Sequence, residues 1–504
     1  MTKSRIPTRP GRIVSAFGVC ALLLACSGGG GGSDGPSTMA PASVNVPIGG
    51  RTQFALSPAQ GASWSVDGNV GGNDTVGHIS LIGGYTAPFV IPSASTALPS
   101  GNPVLATVAV GASVATNTST VSIVRRFVHE TSVLIGTCSP SSSACINALA
   151  VADLNGDDLS DLVTANTDSG TFSETLRASA SSFSAPAPSY PVGTPATSQP
   201  QALAIADLDN NSTLDVVVGD AGATRAVRSR LGAGDGAFGS EVATVLTNTS
   251  DPFSMAVGQF EASSFDNVPD LDVAIARFGN PTDPSELTIF RGDSLGGFSL
   301  VTAITAGVSL PVSVIAADFN NDQLDDLAVA NSGGTGAAAN TVSVFFGVGD
   351  GTFQSAELYA VAGGPSAVVA VDLNGDQFLD LAVTAAVDNT LTFILNRGAS
   401  WVSGDYFQSP PFQTYTTGAV PIALTASDVN GDLLPDLVVV NRDDDTVSVF
   451  LSHGDGTAVL SETYKVGAMP QAVAVGDFNG DSFPDLAVAN SDDDTVTILR
   501  NRGQ

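Results

Sequence analysis

From residue 127 onward the sequence repeats itself seven times, and that repetition constrains the fold more than any other feature. A chain made of one recurring unit must either stack its copies or close them into a ring. The copies begin at Asp153, Asp207, Gln259, Asp318, Asp372, Asp428 and Asp477, at spacings of 54, 52, 59, 54, 56 and 49 residues. Each reads as an apolar strand such as Ala472–Val475, an acidic loop, and a second strand such as Leu486–Ala489. A tight turn and a third strand such as Thr495–Leu499 follow, and a loop of the form Gly349–Phe353 leads to a fourth, such as Glu357–Val361. Four short strands per copy and no helical periodicity predict propeller blades rather than solenoid turns. The last copy stops at its third strand, while Phe127–Ile135, ahead of the first, reads as an orphan outer strand. Pairing the two would close the ring and hide two sheet edges. The expected fold is therefore all-β, a seven-bladed propeller over residues 126–504.

The acidic loops repeat oxygen donors at positions one, three, five and nine. Five share one pattern: Asp153/Asn155/Asp157/Asp161, Asp318/Asn320/Asp322/Asp326, Asp372/Asn374/Asp376/Asp380, Asp428/Asn430/Asp432/Asp436 and Asp477/Asn479/Asp481/Asp485. The second copy has Asp207/Asp209/Asn211/Asp215, the same donors with the amide moved. A hard cation such as Ca²⁺ takes about 6–8 oxygens near 2.3–2.6 Å, and alternate residues of a tight loop can supply several of them. Asn at the third position and Gly at the fourth are expected to allow the left-handed backbone that wraps an ion. The loops are not EF-hands: position twelve is Thr164, Val218, Val329, Val383, Val439 or Val488, not the bidentate Glu of that motif. Asp at position nine must replace it. The competing reading is that Asx-rich turns merely cap hairpins. One such loop would suit it, but six on a chain only 13% charged favour about six structural calcium sites. The third copy, with Gln259, Glu261 and an insertion before Asp266 and Asp270, keeps two donors and is expected to have lost its site.

These loops, the Val488–Ser491 type of strand and the Gly-Asp-Gly-Thr-Phe turn resemble FG-GAP/VCBS repeats, the type that forms the integrin α-subunit propeller. The resemblance covers about three quarters of the chain. It implies structural calcium in the six matched loops, no catalytic role for them, and no particular ligand.

Residues 1–25 carry Lys3, Arg5, Arg9 and Arg12, then the apolar run Ile13–Ala25, too short to span a bilayer. This reads as a signal peptide. Its end, Leu23-Leu24-Ala25-Cys26, resembles the lipobox of bacterial lipoproteins, which implies lipidation at Cys26 and export to the outer membrane or cell surface. Ser27 is compatible with outer-membrane sorting under that resemblance, and plain secretion is the alternative. Residues 26–37 are a Gly/Ser tether. Residues 38–125 show short alternating apolar stretches between turns, which predicts a small β-sandwich. Trp64–Gly68 and Gly84–Pro88 resemble bacterial Ig-like domains, with Trp64 in the core. Cys138 and Cys145 enclose six residues, and in an oxidising compartment a disulfide between them is expected.

Acidic residues outnumber basic ones 49 to 18, a net charge of −31, which argues against nucleic acid as a partner and against docking on anionic lipid. Any contact with a membrane is expected through the lipid anchor alone. His78, His129 and His453 fall in different elements with no nucleophile at a family spacing. Gly31–Gly35 matches Gly-x-Ser-x-Gly only within the tether. Arg291-Gly292-Asp293 occupies a blade turn where Gly and Asp recur, and the runs Asp443–Asp445 and Asp492–Asp494 read as solvated hairpins. Lys465 is the one lysine beyond the leader, so a lysine-dependent mechanism has almost no candidates. The reading is a surface-anchored binding or adhesion protein for an extracellular protein or glycan, with a carbohydrate-active lyase or hydrolase as the alternative. Strand alternation puts the acidic loops and Gly-Asp-Gly turns on one face. The hairpins and blade-to-blade crossings fall on the other, which is the expected binding surface.

Overall fold

The computed structural model describes residues 126–503, except 136–145, 185–187, 248, 262–269, 280–283, 334–338, 399–405, 409 and 411, together with short strands between 38 and 124. The leader, Cys26, the tether, Cys138 and Cys145 lie outside the described residues.

Between 38 and 124 the described elements are all strands. They form a five-stranded sheet ordered 43–47, 118–124, 104–112, 64–66, 69–70, a four-stranded sheet ordered 51–53, 84–86, 77–79, 72–73, and a two-stranded ribbon, Thr38–Ala40 with Ala55–Ser57.

The remainder is a ring of seven four-stranded antiparallel sheets. Blade 1 runs through Ile146–Ala152, Asp161–Asn166, Thr171–Thr175 and Ser189–Pro191. Blades 2 to 6 have inner strands Pro200–Ala206, Asp251–Gly258, Pro311–Ala317, Pro365–Val371 and Pro421–Ser427. Blade 7 takes Pro470–Gly476, Asp485–Asn490 and Thr495–Asn501 from the end of the sequence and its outer strand, Phe127–Leu134, from before blade 1. That strand pairs antiparallel with Thr495–Asn501, Phe127 opposite Asn501 and Leu134 opposite Thr495, so the ring closes as expected. Six of the seven second strands are buried along their whole length, as in Asp326–Asn331, and that of blade 3 is buried up to its last residue, because each is flanked by sheet and covered by a blade on either side. Apolar clusters fill the blade junctions. Val344, Phe346, Val368 and Leu381 join blades 4 and 5, and Ile146, Leu162, Phe478 and Val496 join blades 7 and 1.

Three features were not evident in the sequence. Blade 1 carries an extra hairpin, Arg177–Ser179 with Ser182–Phe183, in place of the Gly-Asp-Gly turn. The closing strand is bulged at Glu130, whose carboxylate accepts from Arg177 at 3.1 Å and from Arg500 at 2.6 Å. Every inner strand is bulged near its start: Asn147, Gln201, Phe253, Val312, Ser366, Ile422 and Gln471 each stand unpaired between two paired neighbours. A bulge frees one side chain from the alternation of the strand and re-aims it.

Candidate metal centres

Each acidic loop joins the first strand of a blade to the second. The ninth-position aspartates Asp161, Asp215, Asp326, Asp380, Asp436 and Asp485 open the second strands and are fully buried. One carboxylate oxygen accepts the N–H of position two (Leu154, Leu208, Phe319, Leu373, Val429, Phe478) at 2.7–3.2 Å. The other accepts an N–H at or just past the end of the third strand (Arg177, Gly232, Gly347, Asn396, Ser452, Asn501) at 2.6–2.9 Å. The ninth aspartate therefore staples three strands of its blade, a role its spacing alone did not reveal. In blade 3 the staple is Asp272, bonded to the N–H groups of Phe260 and Gly292 at 3.1 Å each. This corrects the sequence alignment, which ended that copy at Asp270; Asp270 instead accepts from the Ser294 hydroxyl. Asp266 lies outside the described residues.

The first-position aspartate organises the turn. Asp153 takes the N–H groups of Gly156 and Asp157 on one oxygen and that of Asp158 on the other, at 2.7–3.2 Å. Asp207, Asp318, Asp372, Asp428 and Asp477 likewise accept from the sixth residue of their own loops. At position three, the oxygens of Asn155, Asp209, Asn320, Asn374, Asn430 and Asn479 accept the N–H of position five at 2.8–3.2 Å. At position five, Asp157, Asn211, Asp322, Asp376, Asp432 and Asp481 cap the N–H of position seven. The left-handed residues are at positions four and six, for example Gly156 and Asp158, or Gly431 and Leu433 (φ 74° and 70°). Position three is thus an acceptor and not the left-handed residue that was expected. The sixth position, filled by Gln323, Gln377 and Leu433 among others, gave no composition signal.

Burial pushes the ninth carboxyls up, to about 6 at Asp161, about 7 at Asp326, Asp380 and Asp485, and about 8 at Asp436. Backbone N–H bonds oppose the rise, while the first- and fifth-position carboxylates of the same loop add to it. Asp215 is raised for the same reasons. Among the described residues one trio of carboxylates converges fully: oxygens of Asp207, Asp209 and Asp215 lie within 4.8 Å of one another. In the other five loops an amide stands where Asp209 does. All-oxygen donors with excess negative charge fit a hard divalent cation.

The opposite face is tied differently. Asp388, Asp444 and Asp493, in the hairpins between second and third strands, accept the N–H of Gly363, Ala419 and Ala468 in the crossing into their own blade at 2.6–2.7 Å. Asp445 accepts from Met469 of the next blade at 3.1 Å. The aspartate runs are therefore braces for the crossings and not merely solvated turns. In the Arg291-Gly292-Asp293 turn, Arg291 pairs with Glu261 and Asp293 caps Leu295 and Gly297 at 2.9 and 2.8 Å.

The family model described as FG-GAP-like repeat matches residues 318–383, 372–439 and 428–488, windows that open on Asp318, Asp372 and Asp428, the first positions of three acidic loops. No curated protein matches the chain. Among solved structures, BBS1N, crystallised in complex with ARL6DN and soaked with lead, is 12% identical, with a TM-score of 0.48 over 74% of this chain and 98% of its own. A functionally unknown protein from Desulfotomaculum acetoxidans is 10% identical, with a TM-score of 0.44 over 70% and 92%. The chain is a seven-bladed β-propeller whose residues 318–488 match the FG-GAP-like repeat.

Proposed function

We propose that the protein is a calcium-stabilised, surface-anchored binding protein whose ligand is met on the face of hairpins and crossings. The observation that carries the calcium reading is the repeated oxygen set. In each of six loops the first, third, fifth and ninth positions carry oxygen donors bonded to backbone N–H groups of their own blade, the carboxylates of Asp207, Asp209 and Asp215 converge, and burial raises the ninth carboxyl instead of leaving it freely ionised. A bound divalent cation would supply the positive charge that offsets this crowding. The residues that would hold it are those four, with the seventh carbonyl. Without the leader, 14 basic residues face 49 acidic ones, and six divalent ions would take −35 to −23. Binding to the folded state alone stabilises that state by mass action.

Calcium is expected to raise the melting temperature of the propeller, and chelation to lower it while the Ig-like segment proposed for residues 38–125 is left largely intact. Scanning calorimetry with calcium and with excess EDTA, joined to elemental analysis, tests this. An unchanged propeller transition in EDTA, with no calcium in the protein, overturns it. The anchor is a separate expectation: Cys26→Ser should abolish detergent-phase partitioning, and unchanged partitioning removes the anchor.

A further inference from the structure

The bulged residues of the inner strands meet around the axis of the ring. There they line a cavity of about 420 Å³, within the range of small-molecule sites. Ser332 and Arg442, which follow the second strands of blades 4 and 6, also line it, so it opens on the hairpin-and-crossing face. We infer that this channel mouth is a binding site for a neutral polyhydroxylated ligand, a sugar residue of a glycan. The inference rests on the binding reading above and does not depend on calcium.

Four observations carry it. Carboxamides stand side by side on consecutive blades, Gln471 on blade 7, Asn147 on blade 1 and Gln201 on blade 2, each able to donate and to accept. The Oε1 of Gln201 is buried and has no hydrogen-bond partner among the described residues. A buried acceptor left unpaired is costly, and turning the Gln201 amide toward the cavity would let a ligand hydroxyl donate to it. Phe253, the bulged residue of blade 3, is 45% exposed, with its ring 5.8 Å from that of Phe278. It offers a held aromatic surface next to the amides, suited to the C–H face of a sugar ring.

The fourth observation is charge. On a chain of net charge −31, the cavity lining includes no Asp, Glu, Lys or His, and its one ionised side chain, Arg442, is paired with Asp443 at 2.8 Å. The hairpins of the same face carry Asp388, Asp443–Asp445 and Asp492–Asp494, whose field disfavours an anionic ligand. A neutral lining behind an acidic rim selects uncharged, hydroxyl-rich molecules.

The test uses the full chain in saturation-transfer NMR and titration calorimetry. The probes are galactose, mannose, N-acetylglucosamine, cellobiose and lactose, with galacturonate as the anionic counterpart. At least one neutral probe is expected to bind. Gln201→Leu and Phe253→Ala should each weaken that binding at least tenfold while melting like the parent, and Leu295→Ala, on the opposite face, should not change it. Galacturonate should bind at least tenfold more weakly than the neutral probe. If no neutral probe binds, or if galacturonate binds as well, the inference fails. If binding survives both variants unchanged, the channel site is wrong although the protein still binds sugar. Failure to respond to calcium would count only against the metal reading.

Discussion

Glu174 lies 3% exposed on the third strand of blade 1, and burial raises its carboxyl from the ordinary range to about 7, with a hydrogen bond from Tyr190 only partly opposing the rise. Asp161 and Asp235 nearby push it in the same direction. The folded state therefore holds a proton that the unfolded chain has released above about pH 4. Stability attributable to this group is full below that pH and is lost as pH rises toward 7. Glu174→Gln copies the protonated form. It should match the parent at pH 4 and exceed it at pH 8 by on the order of 2 kcal/mol in urea unfolding; equal stability at pH 8 would refute the assignment. The aspartates of one loop should also separate by role. In EDTA, Asp485→Ala leaves the N–H groups of Phe478 and Asn501 without their acceptor and should cost about 2–6 kcal/mol, at 1–3 for each buried donor. Asp481→Ala releases one exposed N–H and should cost under about 1 kcal/mol. Equal losses in chemical unfolding would contradict the staple. The sequence showed which residues carry oxygen but not which were buried. Spacing alone therefore took Asp270 for Asp272 across an insertion, and gave the buried staple and the exposed turn residues one common role.

At the scale of elements, the closing strand was legible because the repeat left one strand missing at one end of the propeller and one spare at the other. The inner-strand bulges were less visible, though a trace of them exists. Six of the seven inner strands place proline directly before the bulged residue, at Pro200, Pro252, Pro311, Pro365, Pro421 and Pro470. Proline in a sheet is confined to strand starts and bulges, and its recurrence could have marked the channel lining in advance. The blade 1 hairpin has no counterpart in the repeat, so periodicity could not announce it. It contributes Arg177, fully buried, to the carboxylate of Glu130 on the closing strand. Deleting residues 127–135 should therefore destabilise the whole propeller. It frees both sheet edges and strands the Arg177 charge, an effect worth about 3–5 kcal/mol where one partner of a buried pair is removed. A urea midpoint no lower than the parent's would show that the ring does not depend on this strand.

Across the whole molecule the junctions are not alike. At the junction of blades 6 and 7 a polar seam is added to buried apolar side chains such as Val438, Val440, Leu486 and Val488. There the Arg126 guanidinium donates to the Val429 carbonyl at 3.1 Å, and Glu462 accepts the Arg126 N–H at 3.0 Å. Tyr464 accepts the N–H of Phe127 and sets its ring edge-on to the phenyl, centroids 5.5 Å apart. The seam lies where the first residues of the propeller meet the last, and it adds a directional lock to the closing ladder. Closure also has a timetable. Glu130 precedes Arg500 by 370 residues, so at roughly 5–20 residues per second the closing strand is made about 20–70 s before its partner. Throughout that interval it is an unpaired edge, the kind of segment that joins the wrong sheet. A bulge and an inward-pointing charge are what blunt such an edge, and Glu130 provides both. The residue that clamps the finished ring thus also keeps its first strand from pairing too early.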